Sequence, residues 1–160
     1  MNFAQLRLCV KGGTICGSRG LGVRRVHVGD EHHSPPESVS LYQRDLNCTS
    51  FDIRMFTVGY RTVAAMKRVS SSLAANVSRG GKPERLDLSE RLADLAERAS
   101  RATGAEIAGT DMVIDREGEP YVLEVNAQPD FIGLETVTDA DIPSEISEYI
   151  VRRAEEGRIA

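Results

Sequence analysis

The sequence predicts an α+β fold, in which an antiparallel sheet has helices packed on one face. Residues 52–69 and 107–129 each alternate apolar and polar side chains on both sides of a short turn, which is typical of a β-hairpin. Residues 86–104 and 143–156 instead repeat apolar side chains at helical spacing. The resulting order, β-rich, helix, β-rich, helix, favours helices that pack against an antiparallel sheet.

Length and composition predict one globular domain, or part of one. The chain has 160 residues, of which 41% are hydrophobic and 28% are charged, so it can bury a core. Its net charge of -4 disfavours a nucleic-acid binder, which needs a basic surface. The irregular spacing of Cys9, Cys16 and Cys48 predicts neither a disulfide framework nor a zinc site. No signal-peptide pattern or apolar run of transmembrane length is found, so we expect a cytoplasmic protein without a membrane partner.

The first third of the chain predicts two short strands separated by loops. Residues 1–15 hold apolar side chains without a clean period and are left unassigned. Residues 16–28 (CGSRGLGVRRVHV) form a glycine-rich loop that leads into a strand with three valines. Residues 29–38 have the composition of a loop. Residues 39–46 (VSLYQRDL) predict a second strand.

The middle of the chain predicts a hairpin, a loop and the clearest helix. The hairpin at residues 52–69 turns at Gly59, and residues 70–84 form a loop rich in serine and glycine. The helix within residues 86–104 has a capping-box spacing near its start and a glycine at its end. The residues that mark these two ends are Asp87, Glu90 and Gly104.

The last third predicts a second hairpin and a second long helix. A turn centred on Glu117 would place residue 114 near residue 121, and residue 111 near residue 124. The helix from about Pro143 to Glu156 would present one apolar face, made by Ile146, Tyr149 and Ile150.

Two acids occupy the apolar strands of the second hairpin. Directly opposed carboxylates in an antiparallel pair repel each other, so Asp111 and Glu124 require a cation between them or one proton. Asn126 points to the same side as Glu124 and adds a neutral oxygen. Such an all-oxygen set suits magnesium, which leaves further positions for phosphate and water. A hairpin with one solvated face would explain the same acids without any metal.

The glycine-rich segment GSRGLG adds a second indication of phosphate chemistry. Its backbone N–H groups are unobstructed by side chains, as in loops that hold phosphates. It lacks the Gly-Lys-Ser/Thr ending of a Walker loop, and it precedes a strand rather than the helix of a dinucleotide fold. Several arginines follow it, and arginine is suited to bidentate contacts with phosphate or carboxylate. A glycine-rich turn and surface arginines are the alternative explanation.

Together these motifs resemble the C-terminal part of a RimK-type ATP-grasp ligase, over roughly residues 16–155. The matching segments are GSRGLGV, LYQRDL, DIRMFTVG, VAAMKR, NVSRGG, AGTDMVI, YVLEVNAQP and GLETVTDADI. The resemblance implies the C-terminal lobe of an ATP-grasp fold. It also implies an enzyme that activates a carboxylate with ATP, forms an acyl phosphate and lets an amine displace the phosphate. Members of the family commonly add glutamate or a similar amino acid to a protein, a peptide or a small cofactor.

The resemblance implies roles for individual residues, ATP as a cofactor and two magnesium or manganese ions. The implied metal ligands are Asp111, Glu124 and Asn126. The implied nucleotide contacts are Lys11, Gly17, Ser18, Gly20, Gly22, Arg44, Asp45, Asp52, Arg54 and Asn76. The implied catalytic residues, which would contact the transferred phosphate, are Arg68, Arg79 and Asn76. The implied partners are a carboxylate acceptor and glutamate, with no nucleic acid.

The resemblance also has departures that define the alternatives. Residues 16–160 are predicted to be a partial ATP-grasp domain, and residues 1–15 match the family poorly. Lys11 lies six residues before Gly17, where the family has a lysine four residues before. A complete enzyme has an N-terminal domain and a first lobe, so the chain would be catalytic as part of a larger protein or with a partner chain that supplies the lobe. Ligases of this family often pair, so a homo-oligomer is a separate expectation. The alternatives are a truncated, non-catalytic ATP-grasp fragment and a small interaction domain without nucleotide.

Overall fold

The described structure contains two antiparallel sheets and three helices. The computed structural model describes the backbone of residues 7–12, 23–27, 40–44, 46, 51–69 and 82–157, and the side chains of residues 46, 51–69 and 82–157. The strands are β1 Arg7–Gly12, β2 Val23–His27, β3 Ser40–Arg44, β4 Phe51–Val58, β5 Arg61–Val69, β6 Lys82–Arg85, β7 Ile107–Ile114 and β8 Pro120–Asn126. The helices are α1 Glu90–Thr103, α2 Ile132–Glu135 and α3 Ile142–Glu155.

The smaller sheet has the order β2-β1-β3, and both of its pairs are antiparallel. Its two outer strands lie where the sequence predicted them. The central strand, β1, comes from the segment that the sequence left unassigned, and Lys11 is paired with Val23 on one side and Leu41 on the other. The segment before residue 16 therefore contributes a strand to the same sheet as β2 and β3.

The larger sheet has the order β6-β5-β4-β7-β8, with every neighbouring pair antiparallel. The predicted α+β class and both predicted hairpins are confirmed. The turn between β4 and β5 consists of Gly59 and Tyr60, which both have positive φ angles, 59° and 64°. Two successive residues with positive φ are typical of the tight turns whose twist matches that of a β-hairpin.

The predicted loop at residues 70–84 extends too far, because Lys82–Arg85 forms the edge strand β6 beside β5. Pro83 is compatible with this position, since an edge strand leaves one side of its backbone unpaired. The remaining residues of that loop, 70–81, lie outside the described part of the chain.

The helices cover both faces of the larger sheet rather than one. Alternate residues of β4 point to opposite faces. Met55 packs with Leu92 and Ala96 of α1, and we call this side the α1 face. Phe56 packs with Leu134 and Ile142, from α2 and the start of α3, and we call this side the site face. The four-residue helix α2 was not predicted.

Helix α1 ends where the sequence predicted and begins later. Gly104 has φ 71°, and its N–H bonds to Arg101 while the next N–H bonds to Ser100, so the last carbonyls are satisfied. The predicted capping box is wrong. The helix begins at Glu90 with Ser89 as N-cap, and no side chain donates or accepts a capping bond there. Asp87 instead lies in the segment between β6 and the helix, with an exposed side chain.

Helix α3 confirms the predicted helix to within a residue. Asp141 caps it by accepting a bond from the Ser144 N–H at 3.0 Å, and Pro143 lies in the first turn, where no N–H donor is needed. Tyr149 is buried, whereas Ile150 remains 47% exposed, so the predicted apolar face is only partly covered. None of the helices in the described ranges is both long and apolar enough to cross a bilayer.

The hairpin β7–β8 has a register that the sequence did not predict. Ile114 pairs with Pro120 rather than with residue 121, so the turn is one residue shorter than expected. A β-bulge then lies between the pairs Met112–Val122 and Asp111–Glu124, with Leu123 as the extra residue. The predicted pairing of Asp111 with Glu124 is therefore observed, because the bulge compensates for the shorter turn.

Candidate functional site

Four charged side chains occupy one end of the site face, on the three central strands. They are Asp52 and Arg54 of β4, Arg68 of β5 and Asp111 of β7, and each is at most 9% exposed. Strand register brings them together, because Asp52 is directly opposite Arg68 and Arg54 is directly opposite Asp111. We call these four residues the charged quartet. Phe56, two residues after Arg54, begins the apolar end of the same face.

The quartet alternates acids and bases in a continuous chain. Arg68 donates from Nε to Asp52 Oδ1 at 2.5 Å and from Nη2 to Asp52 Oδ2 at 2.8 Å, a bidentate contact. Nη2 of Arg68 also lies 3.0 Å from Asp111 Oδ2. On the other side of Asp111, Arg54 places Nε 2.6 Å from Oδ1 and donates from Nη2 to Oδ2 at 3.2 Å. Two carboxylates and two guanidinium groups give a formal charge of zero.

Burial and pairing together raise the pKa values of two members of this quartet, Asp52 and Arg68. Burial raises the pKa of Asp52, and the hydrogen bonds and charge of Arg68 oppose that rise only in part. Burial works to lower the pKa of Arg68, but the hydrogen bonds that Arg68 donates to Asp52 and Asp111, and the charges of these two carboxylates, outweigh it, so the pKa of Arg68 lies above its ordinary value. Arg68 therefore keeps its positive charge firmly, while burial makes Asp52 easier to protonate than a solvated aspartate.

The other two predicted metal ligands lie beside the quartet at the edge of the sheet. Cross-strand pairing places Glu124 opposite Asp111 and Asn126 opposite Gly109, so both side chains belong to the site face. Both residues are exposed, in contrast to Asp111. Oδ1 of Asn126 accepts a bond from the Gln128 N–H at 2.9 Å, which orients its amide.

These donors fit the chemistry of a magnesium ion. Among the side chains of residues 51–69 and 82–157, no three His, Cys, Asp or Glu residues form a metal-binding group. The candidate set is instead two carboxylates and one amide oxygen, and magnesium is usually held by one or two carboxylates with substrate phosphates and water. Oδ1 of Asp111 is buried and accepts no hydrogen bond from the described residues. An unsatisfied buried carboxylate oxygen is a suitable ligand atom.

The segment after β8 crosses the site face and separates its two ends. Pro129 lies over β7, where its Cβ would be 2.9 Å from a Cβ added to Gly109. Phe131 meets the ring of Phe56 edge-on, with 5.7 Å between centroids. Leu134 then enters the apolar core. This crossing segment keeps the charged quartet at one end of the face and the apolar core at the other.

Sequence reasoning missed Gly109 as a residue of this site. A Cβ at this position would lie 2.2 Å from Nη1 of Arg54, so the arginine side chain occupies the space that only a glycine leaves open. The available signal was a glycine two residues before Asp111 in the same strand, which places both on one face. It could not be interpreted without knowing that β4 is the neighbour of β7.

The described structure covers only part of the predicted nucleotide site. Lys11 and Arg44 lie in β1 and β3, where the backbone alone is described. The remaining predicted contacts lie outside the described residues: Gly17, Ser18, Gly20, Gly22, Asp45, Asn76 and Arg79. The structure therefore brings together Asp52, Arg54, Arg68 and the three predicted metal ligands, and the roles of all these residues stay predictions.

Comparison with known proteins identifies a family for most of the chain. The family model described as a RimK-like ATP-grasp domain matches residues 39–150. A protein of Picosynechococcus named probable alpha-L-glutamate ligase is 34% identical over an alignment of 155 positions, and the match covers 89% of this chain and 50% of that protein. A protein of Haemophilus influenzae with the same name is 35% identical over 86% of this chain and 48% of its own length.

Solved structures show the same fold at lower sequence identity. The ATP-grasp ligase PsnB, complexed with a phosphomimetic variant of its minimal precursor, Mg and ADP, matches 92% of this chain with a TM-score of 0.66 and 20% identity, over 46% of the PsnB chain. A RiPP-associated ATP-grasp ligase of Chryseobacterium gregarium matches 92% of this chain with a TM-score of 0.62 and 16% identity, over 49% of its own chain. The chain thus spans about half the length of the proteins it is similar to.

Proposed function

The chain belongs to the RimK-like ATP-grasp family, and from this premise we propose that it is part of an ATP- and magnesium-dependent ligase that joins a carboxylate to an amine. The observation that carries the proposal is the paired position of Asp111 and Glu124 on the site face, with Asn126 beside them and two buried arginines in contact with Asp111. A purely structural hairpin would not require a buried carboxylate opposite a second carboxylate.

The reaction we propose has two steps. A carboxylate oxygen of the acceptor attacks the γ-phosphorus of ATP, which forms an acyl phosphate and releases ADP as the β–γ bridge breaks. The amine nitrogen of the incoming amino acid then attacks the acyl carbon, the phosphate leaves and the nitrogen loses a proton. Both steps bring anionic groups together, so fixed positive charges are more useful than a nucleophilic side chain.

Each residue of the described site has a role in this proposal. Asp111, Glu124 and Asn126 would hold magnesium, which supplies positive charge to the phosphate oxygens. Arg68 is already fixed by two bonds to Asp52, so it would present a rigid guanidinium to the transferred phosphate. Arg54 and Asp52 would complete the nucleotide end of the site. The predicted contacts whose side chains lie outside the described structure keep their proposed roles at the nucleotide and the phosphates. They are Lys11, Gly17, Ser18, Gly20, Gly22, Arg44, Asp45, Asn76 and Arg79.

The substrates are proposed from the relatives. Two curated relatives carry the name probable alpha-L-glutamate ligase, so we propose glutamate as the amino acid. The acceptor would be a carboxylate of a protein, a peptide or a small cofactor. Because the reaction consumes ATP, we place it in the cytoplasm.

Calorimetric titration with a non-hydrolysable ATP analogue tests the nucleotide site. We expect saturable binding by the whole chain with magnesium and much weaker binding without it. Glu124→Gln should remove the magnesium dependence and leave the fold intact, because Glu124 is exposed and its change removes one of two like charges. Glu148→Gln is the matched control, since it makes the same exchange at an exposed position of α3.

The outcomes separate the proposal from its alternative. Equal magnesium-dependent affinity in the wild type, Glu124→Gln and Glu148→Gln would contradict the metal role of Glu124. No binding by the wild-type chain in either condition would favour the non-catalytic alternative, in which this chain retains the fold without a working nucleotide site.

A further inference from the structure

Arg54 contacts Asp111 in an unusual way for a buried ion pair. Its Nε lies 2.6 Å from Asp111 Oδ1, yet among the described residues Nε donates no hydrogen bond and Oδ1 accepts none. Nη1 of Arg54 is also buried without an acceptor there. Only Nη2 makes a hydrogen bond to Asp111, at 3.2 Å. Arg54 thus neutralises Asp111 by proximity and leaves much of its own hydrogen-bonding capacity unused.

Arg68 behaves differently on the other side of the same carboxylate. It uses Nε and Nη2 for two well-formed bonds to Asp52, and reaches Asp111 with Nη2 alone. Its position is therefore determined by Asp52, whereas that of Arg54 is determined by Asp111. If a cation took the charge of Asp111, Arg68 would keep its anchor and Arg54 would lose its own.

We propose that Arg54 takes the place of a divalent cation at Asp111 when no metal is bound, and that Gly109 is the positioning residue that allows it to do so. The proposal rests on the proposed function, since it concerns the same metal site. Within the described residues, Asp111 Oδ1 forms an ion pair with Arg54 Nε and accepts no hydrogen bond. Entry of a metal at Oδ1 would place two positive groups against one oxygen, and their repulsion displaces Arg54.

Gly109 controls this contact because it lies under the guanidinium. An added Cβ would meet Nη1 of Arg54 at 2.2 Å and Cδ at 3.2 Å, so the arginine would have to leave its present position. The nearest atom is the end of a flexible side chain, so a substitution there moves the guanidinium more readily than the backbone. The added Cβ would also lie 2.9 Å from the Cβ of Pro129, so the alanine has no free space toward that residue either. Gly109→Ala therefore weakens the Arg54–Asp111 contact and leaves both charges in the protein.

Titration with Mn²⁺, followed by electron paramagnetic resonance of the free ion, measures the competition directly and needs no turnover. If Arg54 occupies Asp111 in about nine-tenths of the metal-free molecules, its removal raises the apparent affinity about tenfold. We therefore expect Arg54→Met to bind Mn²⁺ about tenfold more tightly than the wild type. Gly109→Ala should shift the affinity in the same direction by a smaller factor, because the arginine charge remains nearby.

Arg98→Met is the matched control for overall charge. It removes an arginine from an exposed ion pair with Asp94 on α1, so it changes the net charge equally without touching the site. A second readout is thermal unfolding with and without Mn²⁺. A metal that binds the folded state raises the melting temperature according to its affinity, so Arg54→Met should gain more from Mn²⁺ than the wild type gains. Because Arg54→Met leaves the buried Asp111 with one cation fewer and so destabilises the fold, Gly109→Ala provides an independent variant that retains all four charges.

Unchanged or weaker Mn²⁺ affinity in Arg54→Met and Gly109→Ala would overturn the proposal. An equal increase in Arg98→Met would overturn it as well, because the effect would then be one of net charge. These failures are distinguishable from failure of the proposed function. If magnesium-dependent nucleotide binding is present and is lost in Glu124→Gln, the metal site stands even where Arg54 does not compete for it. If no variant binds Mn²⁺, the inference about Arg54 fails, and nucleotide calorimetry decides the function separately.

Discussion

The two ends of the site face share strands β4 and β5 and are both buried, yet opposite chemistry fills them. At one end Phe56 is fully buried among Met66, Leu134 and Ile142. At the other, two residues away along β4, Arg54 is buried against Asp111. Apolar burial stabilises a fold directly, whereas two buried charges first lose their hydration and recover it only through good pairing. The apolar end therefore stabilises the fold, whereas the charged end carries a desolvation cost that fold stability alone does not explain.

The largest expected effect comes from damage to the apolar end. Phe56→Ala removes a fully buried ring that packs against Phe131, and it should lower the free energy of unfolding by about 3–5 kcal/mol. Urea unfolding followed by circular dichroism measures the loss. Under conditions in which the variant is still folded, magnesium-dependent nucleotide binding should persist. Loss of binding in folded protein would show that the two ends are not independent.

The next largest effect concerns the charged end and has two parts. Asp111→Ala leaves two buried guanidinium groups with one carboxylate and should cost about 3–5 kcal/mol, with the smaller value favoured because Asp52 still holds Arg68. The double variant Arg54→Met with Asp111→Leu replaces an ion pair by apolar groups and should recover most of that loss. Urea unfolding of both proteins checks this. A double variant as unstable as Asp111→Ala would mean that the ion pair itself contributes stability.

The smallest effect is a difference in pH dependence between two acids. Burial raises the pKa of Asp52, so the stability that depends on its protonated form is present below about pH 3.8 and is lost as the pH rises through the higher folded pKa. Backbone N–H groups of Glu119 and Glu117 lower the pKa of Asp115 in the β7–β8 turn. Its contribution is present above about pH 3.8 and is lost as the pH falls through the lower folded pKa.

Urea unfolding between pH 3 and pH 7 separates the two acids when each is replaced by asparagine. Relative to Asp52→Asn, the wild type should lose stability as the pH rises. Relative to Asp115→Asn, it should gain stability over the same range. The same sign for both variants would contradict the assignment of opposite pKa shifts.

Local patterns were sufficient to predict the hairpins and the long helices, because side-chain period alone identifies such elements. They did not predict α2 or β6, which have four residues each and lack a period of their own. The charged quartet was beyond sequence reasoning for a different cause. Asp52 and Arg54 were each placed near the nucleotide, but Arg54 meets Asp111 only because β7 is the neighbour of β4 across 57 residues. Such long-range register is not written in any local pattern.

The pairing of Asp111 with Glu124 was predicted, although the register assumed for it was wrong. The turn shortens the expected register by one residue, and the bulge adds one residue back. The two changes cancel at the pair Asp111–Glu124. A uniform alternation along β8 would have placed Glu124 on the α1 face with Val122. Sequence period does not reveal this bulge, because the extra residue, Leu123, is apolar like Val122 before it.

That extra residue divides β8 into two segments of opposite phase. Before Leu123, even-numbered positions such as Val122 serve the core under α1, and after it even-numbered positions such as Glu124 and Asn126 serve the site face. One strand therefore contributes side chains to both faces of the sheet. The number of residues between two side chains of β8 decides which face each one reaches, and this matters as much as which residues they are. Deletion of a single residue here, which would leave every candidate ligand in the chain, would turn Glu124 and Asn126 away from Asp111 together.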